Sequence, residues 1–184
     1  MSLIESKQPI SLRENWRELT HQIGLSEDLI FESWSEIASA YQSVKRYYHN
    51  LNHISDMLGL WEQHRPVLQH PNVVALCIWF HDIIYQADRK DNEQQSAESA
   101  QYYLQHSKLS STALTQVYQS ILATQHHLLS FDYPDLAYLL DFDLAVLGRD
   151  WERYEEYTKQ IRKEYRIYPD ELYRPGRKKV LEHF

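Results

Sequence analysis

The sequence predicts an all-α protein folded as one compact multi-helix bundle. Three observations carry this reading. Only 4 Gly and 6 Pro occur in 184 residues, so the chain is poor in the residues that punctuate turns. Apolar residues recur at spacings of three and four along nearly the whole chain, the period of one helix face. No segment alternates apolar and polar residues over the length of a strand. No linker, repeat or low-complexity tract divides the chain, so a single domain is expected over residues 1–184.

The elements follow in order. Ser11 and Glu14 form an S-x-x-E capping box, opening a first helix that ends near Gly24. Ser26 caps a second, with Leu29, Ile30, Trp34, Ile37 and Tyr41 on one face. A third covers about 50–63 and carries Leu51, Ile54, Leu58 and Trp61. Pro66 and Pro71 mark a connection, and Pro71 suits the first turn of a fourth helix, PNVVALCIWFHDIIYQ. That segment is apolar on nearly all sides, the pattern of a helix at the centre of a bundle. The polar stretch 86–96 reads as a loop into a helix start, with helices near 96–106 and 112–127 after it. A loop around Ser130–Pro134 precedes a helix at about 134–147 that ends at Gly148. Asp150 caps a long charged helix through Tyr165. Its stripe of Trp151, Tyr154, Tyr157, Ile161 and Tyr165 is a core face, or a surface buried against the second subunit of a homodimer. Pro169 and Pro175 are expected to break the chain before a short C-terminal helix.

Composition excludes several functions. A hydrophobic fraction of 43% with 24% charged residues is globular and excludes disorder as the default state. With 19 Lys+Arg against 26 Asp+Glu the net charge is −7, which gives no general attraction for a nucleic acid polymer or an anionic membrane. The longest apolar run, Val73–Phe80, is too short to span a bilayer. The start, MSLIESKQPIS, carries acid early and lacks the apolar centre of a signal peptide. A single cysteine, Cys77, excludes an intrachain disulfide and a CxxC zinc site, and suits a reducing cytoplasm.

What remains are 10 histidines, the commonest metal-ligand residue type. His81 and Asp82 stand together at the end of the apolar run IWF, where an ionisable pair is costly to desolvate and needs a partner. That partner is a metal ion, or an Arg held by Asp82 beside a capped core histidine. His49 and His53, in RYYHNLNHI, lie four residues apart and share a helix face. Asn50 occupies the place of the glutamate in H-E-x-x-H, so this is not the zinc protease motif. His126 and His127 follow in TQHH, and Asp141 and Asp143 sit inside the apolar LLDFDLAVLG. His53, His81, Asp82 and Asp143 would supply two imidazoles and two carboxylates, a donor set for Mn, Fe, Zn, Co or Mg.

In this order His…His-Asp…Asp resembles the HD-domain superfamily of metal-dependent phosphohydrolases. RYYHNLNHI, WFHDIIY, DNEQQSAE, ILATQHH, DFDLAVLG and YTKQIRKEY look like one bacterial branch of it, the predicted HD-superfamily hydrolases. The likeness covers roughly residues 13–183. It implies that His53, His81, Asp82 and Asp143 hold a divalent ion, with Asp82 in the catalytic set. Glu93, close behind the dyad, would move the proton; its alternative is an acid complementing a helix N-terminus. Arg46, Arg89 and Lys90 flank the expected mouth and would hold a phosphate, or are surface ion pairs. Arg162, Arg166 and Arg177 are more distant candidates for the same task.

His49 is read as a substrate contact or as a hydrogen-bond partner fixing the tautomer of His53. In larger HD proteins His49 and His127 would find counterparts at a second metal. His126 reads as a surface residue, and Asp141, on nearly the opposite helix face from Asp143, as a weaker ligand candidate or as a helix cap or salt-bridge partner. The implied reaction is hydrolysis of a small phosphomonoester or phosphodiester, nucleotides included, by metal-activated water. Two alternatives stay open: a binding module that senses a nucleotide or metal without turnover, and a di-iron oxygenase using His49 and His127 on a second iron. Without metal, the clustered carboxylates are expected to repel one another.

Overall fold

The computed structural model describes residues 11–183, and the first ten residues of the expected domain lie outside that range. Among the described residues there are nine α-helices and no strand. They are α1 Leu12–Gln22, α2 Glu27–Tyr41, α3 Leu51–His64, α4 Pro71–Phe80 and α5 Asn92–Leu104. After these come α6 Ser111–Ala123, α7 Leu136–Leu144, α8 Trp151–Glu164 and α9 Asp170–His183. None is long and apolar enough to cross a membrane.

Helix starts follow the caps in the sequence. The Glu14 N–H donates to Ser11 Oγ at 3.3 Å and the Ser11 N–H to Glu14 Oε2 at 3.1 Å, closing the capping box of α1. Ser26 caps α2, Ser110 caps α6 and Asp150 caps α8. Gly24 ends the first helix turn at φ 76°, a conformation in which only glycine avoids strain.

α4 forms the centre. Every residue from Val73 to Phe80 is at most 3% exposed, and α3, α5, α6 and α7 pack around it. Trp16 of α1 meets Trp79 and Phe80 edge-on, each at 5.6 Å between ring centroids. Asp135, 1% exposed, accepts the N–H groups of Gln69 at 3.0 Å and His70 at 2.6 Å. That carboxylate ties the approach to α4 onto the start of α7 and satisfies the N–H groups of the two residues before Pro71.

Several boundaries differ from expectation: α6, expected to run to 127, ends at Ala123, so His126 and His127 lie beyond it. α4 stops at Phe80 rather than running on through Gln86. Tertiary partners replace the helical ladder: Arg46 donates to the carbonyls of Asp82 at 2.6 Å and Ile83 at 2.8 Å, and Tyr41 Oη accepts the Asp82 N–H at 3.3 Å. α5 begins at Asn92, inside the stretch expected to be loop, because the Asn92 side chain closes that loop on both the N–H and the C=O of Gln86. Pro175 does not break the chain but lies within α9, where it forfeits one ladder bond. The turn is made at Pro169, whose carbonyl accepts the N–H groups of Leu172 and Tyr173.

Within the α8 stripe, Tyr157 and Ile161 are buried while Trp151 is 72% exposed. α9 buries no residue fully, yet it lies against the site described next.

Candidate metal centre

His81 is the first residue beyond α4. Its Nδ1 lies 2.9 Å from the Ile78 carbonyl, so Nδ1 carries the proton and Nε2 is the ligand-type nitrogen. His53 projects from α3 and is 4% exposed. Its Nε2 stands 3.3 Å from His81 Nε2. Asp143, on α7, brings Oδ1 to 3.1 Å from His53 Nε2 and 3.7 Å from His81 Nε2. The ligand atoms of His53, His81 and Asp143 thus all lie within 4.8 Å of one another. Two atoms bound about 2.0 Å from one ion at a tetrahedral angle are roughly 3.3 Å apart, so these separations and this donor set fit a divalent ion.

Asp82 stands beside this triad, with Oδ2 3.2 Å from His81 Nε2 and 3.9 Å from His49 Nε2. The second oxygen of Asp143 lies 2.9 Å from His127 Nε2. His127 has φ 50°, a left-handed backbone uncommon outside glycine. Its imidazole reaches Asp143 from that strained position.

Each carboxylate is therefore neighboured by imidazole. Burial opposes ionisation of Asp82, yet His81 and His49 hold its carboxyl below the usual range. Burial likewise opposes ionisation of Asp143, and hydrogen bonds from His127 and His53 more than offset it. Burial also disfavours charge on His81, but Asp82 and Asp143 overcome it and push its pKa up to about 9. The repulsion among carboxylates expected from sequence is thus answered within the protein by histidines.

His49 does not hold His53. Its Nδ1 lies 2.6 Å from Glu164 Oε2, and its ring stacks on Tyr85 at 4.1 Å. Glu164 has a side chain only 1% exposed and also accepts the N–H groups of Tyr47, Tyr48 and His49 through Oε1. The sequence reading assigned Glu164 no role. Its signal was there: Glu164 shares the buried face of α8 with Tyr157 and Ile161, seven and three residues earlier.

A cavity of about 210 Å³ opens beside the cluster, with His49, Asp82, His127 and Asp143 in its wall. Glu93 lines it too, and burial raises the Glu93 carboxyl pKa, with Asp82 adding to the effect. The expected phosphate-holding cations are elsewhere. Arg46 is committed to the carbonyls of Asp82 and Ile83 and to the faces of Tyr41 and Tyr85. Arg89 pairs with Asp91 at 2.7 Å, and neither it nor the exposed Lys90 lines the cavity. Short segments beside a motif are placed by loop direction, which local sequence did not reveal here. Arg177 of α9 is the one Lys or Arg in the wall among the described residues. It lies over the Tyr157 ring and donates to the Tyr157 hydroxyl. Tyr157 in turn packs on Tyr48, and Tyr48 on His53. His126 is exposed, as read from sequence, and Asp141 is exposed too, away from the cluster.

Comparison with models of known families, with curated proteins and with solved structures gave no match. The fold and the site together define an all-helical protein with a candidate His/Asp metal centre.

Proposed function

We propose that this chain is a metal-dependent phosphohydrolase of the HD-domain type, acting on a small phosphomonoester or phosphodiester, with nucleotides the first class to test. One observation carries the reading: His53 of α3, His81 just beyond α4 and Asp143 of α7 converge, with Asp82 against His81, and Asp82 and Asp143 stand in the wall of a cavity that also holds Glu93. Neither an isolated core histidine nor a single ion pair requires that convergence.

In this reading His53, His81, Asp82 and Asp143 hold the ion. A divalent ion there would supply Lewis acidity toward a phosphoryl oxygen and acidify a water. Glu93, its pKa raised by burial, exchanges the proton at the cavity wall. Arg177 meets the charge of the phosphoryl group. Glu164 keeps His49 turned toward Asp82. A reducing cytoplasm suits the single buried thiol, Cys77, whose pKa burial pushes up to about 12.

The oxygenase reading draws on the contact between His127 and the second oxygen of Asp143. A metal count separates the two. Purified protein is analysed for bound metal, then screened against nucleotides and simple phosphoesters with Mn, Fe, Zn, Co or Mg restored. One divalent ion per chain with phosphate release, abolished in Asp143→Ala, supports the hydrolase. Two irons per chain support the oxygenase. Stoichiometric metal with no turnover of any phosphoester leaves the binding module.

A further inference from the structure

A second cleft, of about 580 Å³, lies on the far side of the segment that follows His81 and Asp82. The turn at 43–46, residues 83–88 and the end of α8 through Ile167 form its walls. Its volume falls within the range of small-molecule sites. Lys45, Arg46, Lys163 and Arg166 all line it. The opposing charges are Asp88 and Glu164, and Glu164 is already committed to His49 and three backbone donors. A protein of net charge −7 thus presents a locally positive concavity here. The cavity beside His53 differs: there Asp56, Asp150 and Glu156 face Arg149 and Arg153.

The cations of the cleft are also unneutralised. Arg17, Arg89, Lys159 and Arg162 each have a carboxylate within 3.6 Å. Among the described residues, Lys45, Lys163 and Arg166 have none at ion-pair distance. Instead, Lys163 Nζ lies over the Tyr47 ring at 5.5 Å, and Arg166 donates to the Tyr47 hydroxyl at 3.2 Å. An aromatic ring steadies two cationic heads at the rim without cancelling their charge. Holding like charges together raises the energy of the empty cleft, and an anion lowers it.

We propose that this cleft binds a small phosphorylated molecule, with Lys45, Lys163 and Arg166 receiving its phosphate. The site is separate from the metal cluster and does not depend on the hydrolase reading. Arg46 connects the two, because it lines the cleft and its guanidinium holds the carbonyls of Asp82 and Ile83. A ligand here therefore bears on the backbone that aims the Asp82 side chain.

The test is a titration of the ¹⁵N-labelled full chain with pyrophosphate, in chelator so that the metal cluster takes no part. The expected result is saturable shifts in the amides of 43–46, 83–88 and 163–167. Lys45→Glu/Lys163→Glu should weaken binding by at least about tenfold, while Lys178→Glu, on exposed α9, should change it little. Lys45→Gln/Lys163→Gln carries the same test if the charge reversal does not fold. Shifts confined to residues 124–127 and 143–146, or no saturable shift, would overturn the proposal. So would equal weakening by Lys178→Glu, which means general ionic attraction. Cosedimentation with phosphatidylserine vesicles in the absence of pyrophosphate shifts would make the cleft a lipid surface and sink the small-molecule assignment.

Discussion

Glu164 Oε2 lies 2.6 Å from His49 Nδ1, while Oε1 of the same carboxylate takes the backbone N–H groups of Tyr47, Tyr48 and His49. One buried side chain from the end of α8 therefore organises the entry to α3, although 115 residues separate it from His49. Glu164→Ala strands these donors and should cost about 3 kcal/mol of stability. Glu164→Gln keeps the shape and should cost less, while weakening the hold on His49. Thermal denaturation of both variants at neutral pH measures this. The Glu164 pKa is lowered by His49 and the backbone donors against the effect of burial, so this contribution is present at neutral pH and lost as pH falls through the folded value. Unchanged melting of Glu164→Ala would contradict the anchoring role.

Asp143 bridges His53 and His127 through its two oxygens. Asp143→Ala should weaken zinc binding by more than about 100-fold, read by competition with a chromophoric chelator. It should also lower the melting temperature of metal-free protein, because both histidines lose their carboxylate. A stable, zinc-binding Asp143→Ala protein would remove Asp143 from the site.

Metal must displace a proton from His81, whose pKa stands at about 9. Zinc affinity should therefore climb about tenfold per pH unit at pH values below about 9 and level off above it. The metal-free protein should show the opposite trend in stability. A raised histidine pKa gives stabilisation that is complete below the unfolded value and lost as pH rises through the folded one. Its melting temperature should fall between pH 7 and 9.5. A flat affinity profile over this range would show that His81 binds no metal.

Glu93→Gln should reduce phosphoester hydrolysis by roughly 10²–10³-fold with metal content unchanged. Glu93 lines the cavity and is half-buried, so its loss touches neither the metal triad nor the core. Metal analysis beside the kinetics makes the distinction. Equal loss of metal and activity would mean that Glu93 only shapes the site.

The helices and the cluster of His53, His81 and Asp143 were legible because their signals are local. Caps such as Ser11, Ser26 and Asp150 act within three residues, and His53 and Asp143 sit in helices with apolar neighbours while His81 directly follows an apolar one. The cation assignment was not legible. Arg46 turns inward because the chain after Phe80 offers it two unpaired carbonyls, a partnership across 36 and 37 residues. Arg177 reaches the cavity because α9 folds back over it, and no local spacing encodes that return. Pro175 shows the same limit from the other side: a breaker signal yields when a helix begun at Asp170 can forgo one bond.

The burial of α4 has a consequence for how the site is tuned. A helix with one wet side has its rotation about its own axis fixed by solvent. α4 has no wet side from Val73 to Phe80, so its azimuth is set by the shapes of its neighbours alone. His81 is fastened to the carbonyl of Ile78 and turns with that helix. Steric fit along the core and the alignment of a ligand at its end are thus a single mechanical variable. Trimming Leu76 or Ile78 would be felt at the cluster as misdirected nitrogen lone pairs, and enlarging either would misdirect them the other way.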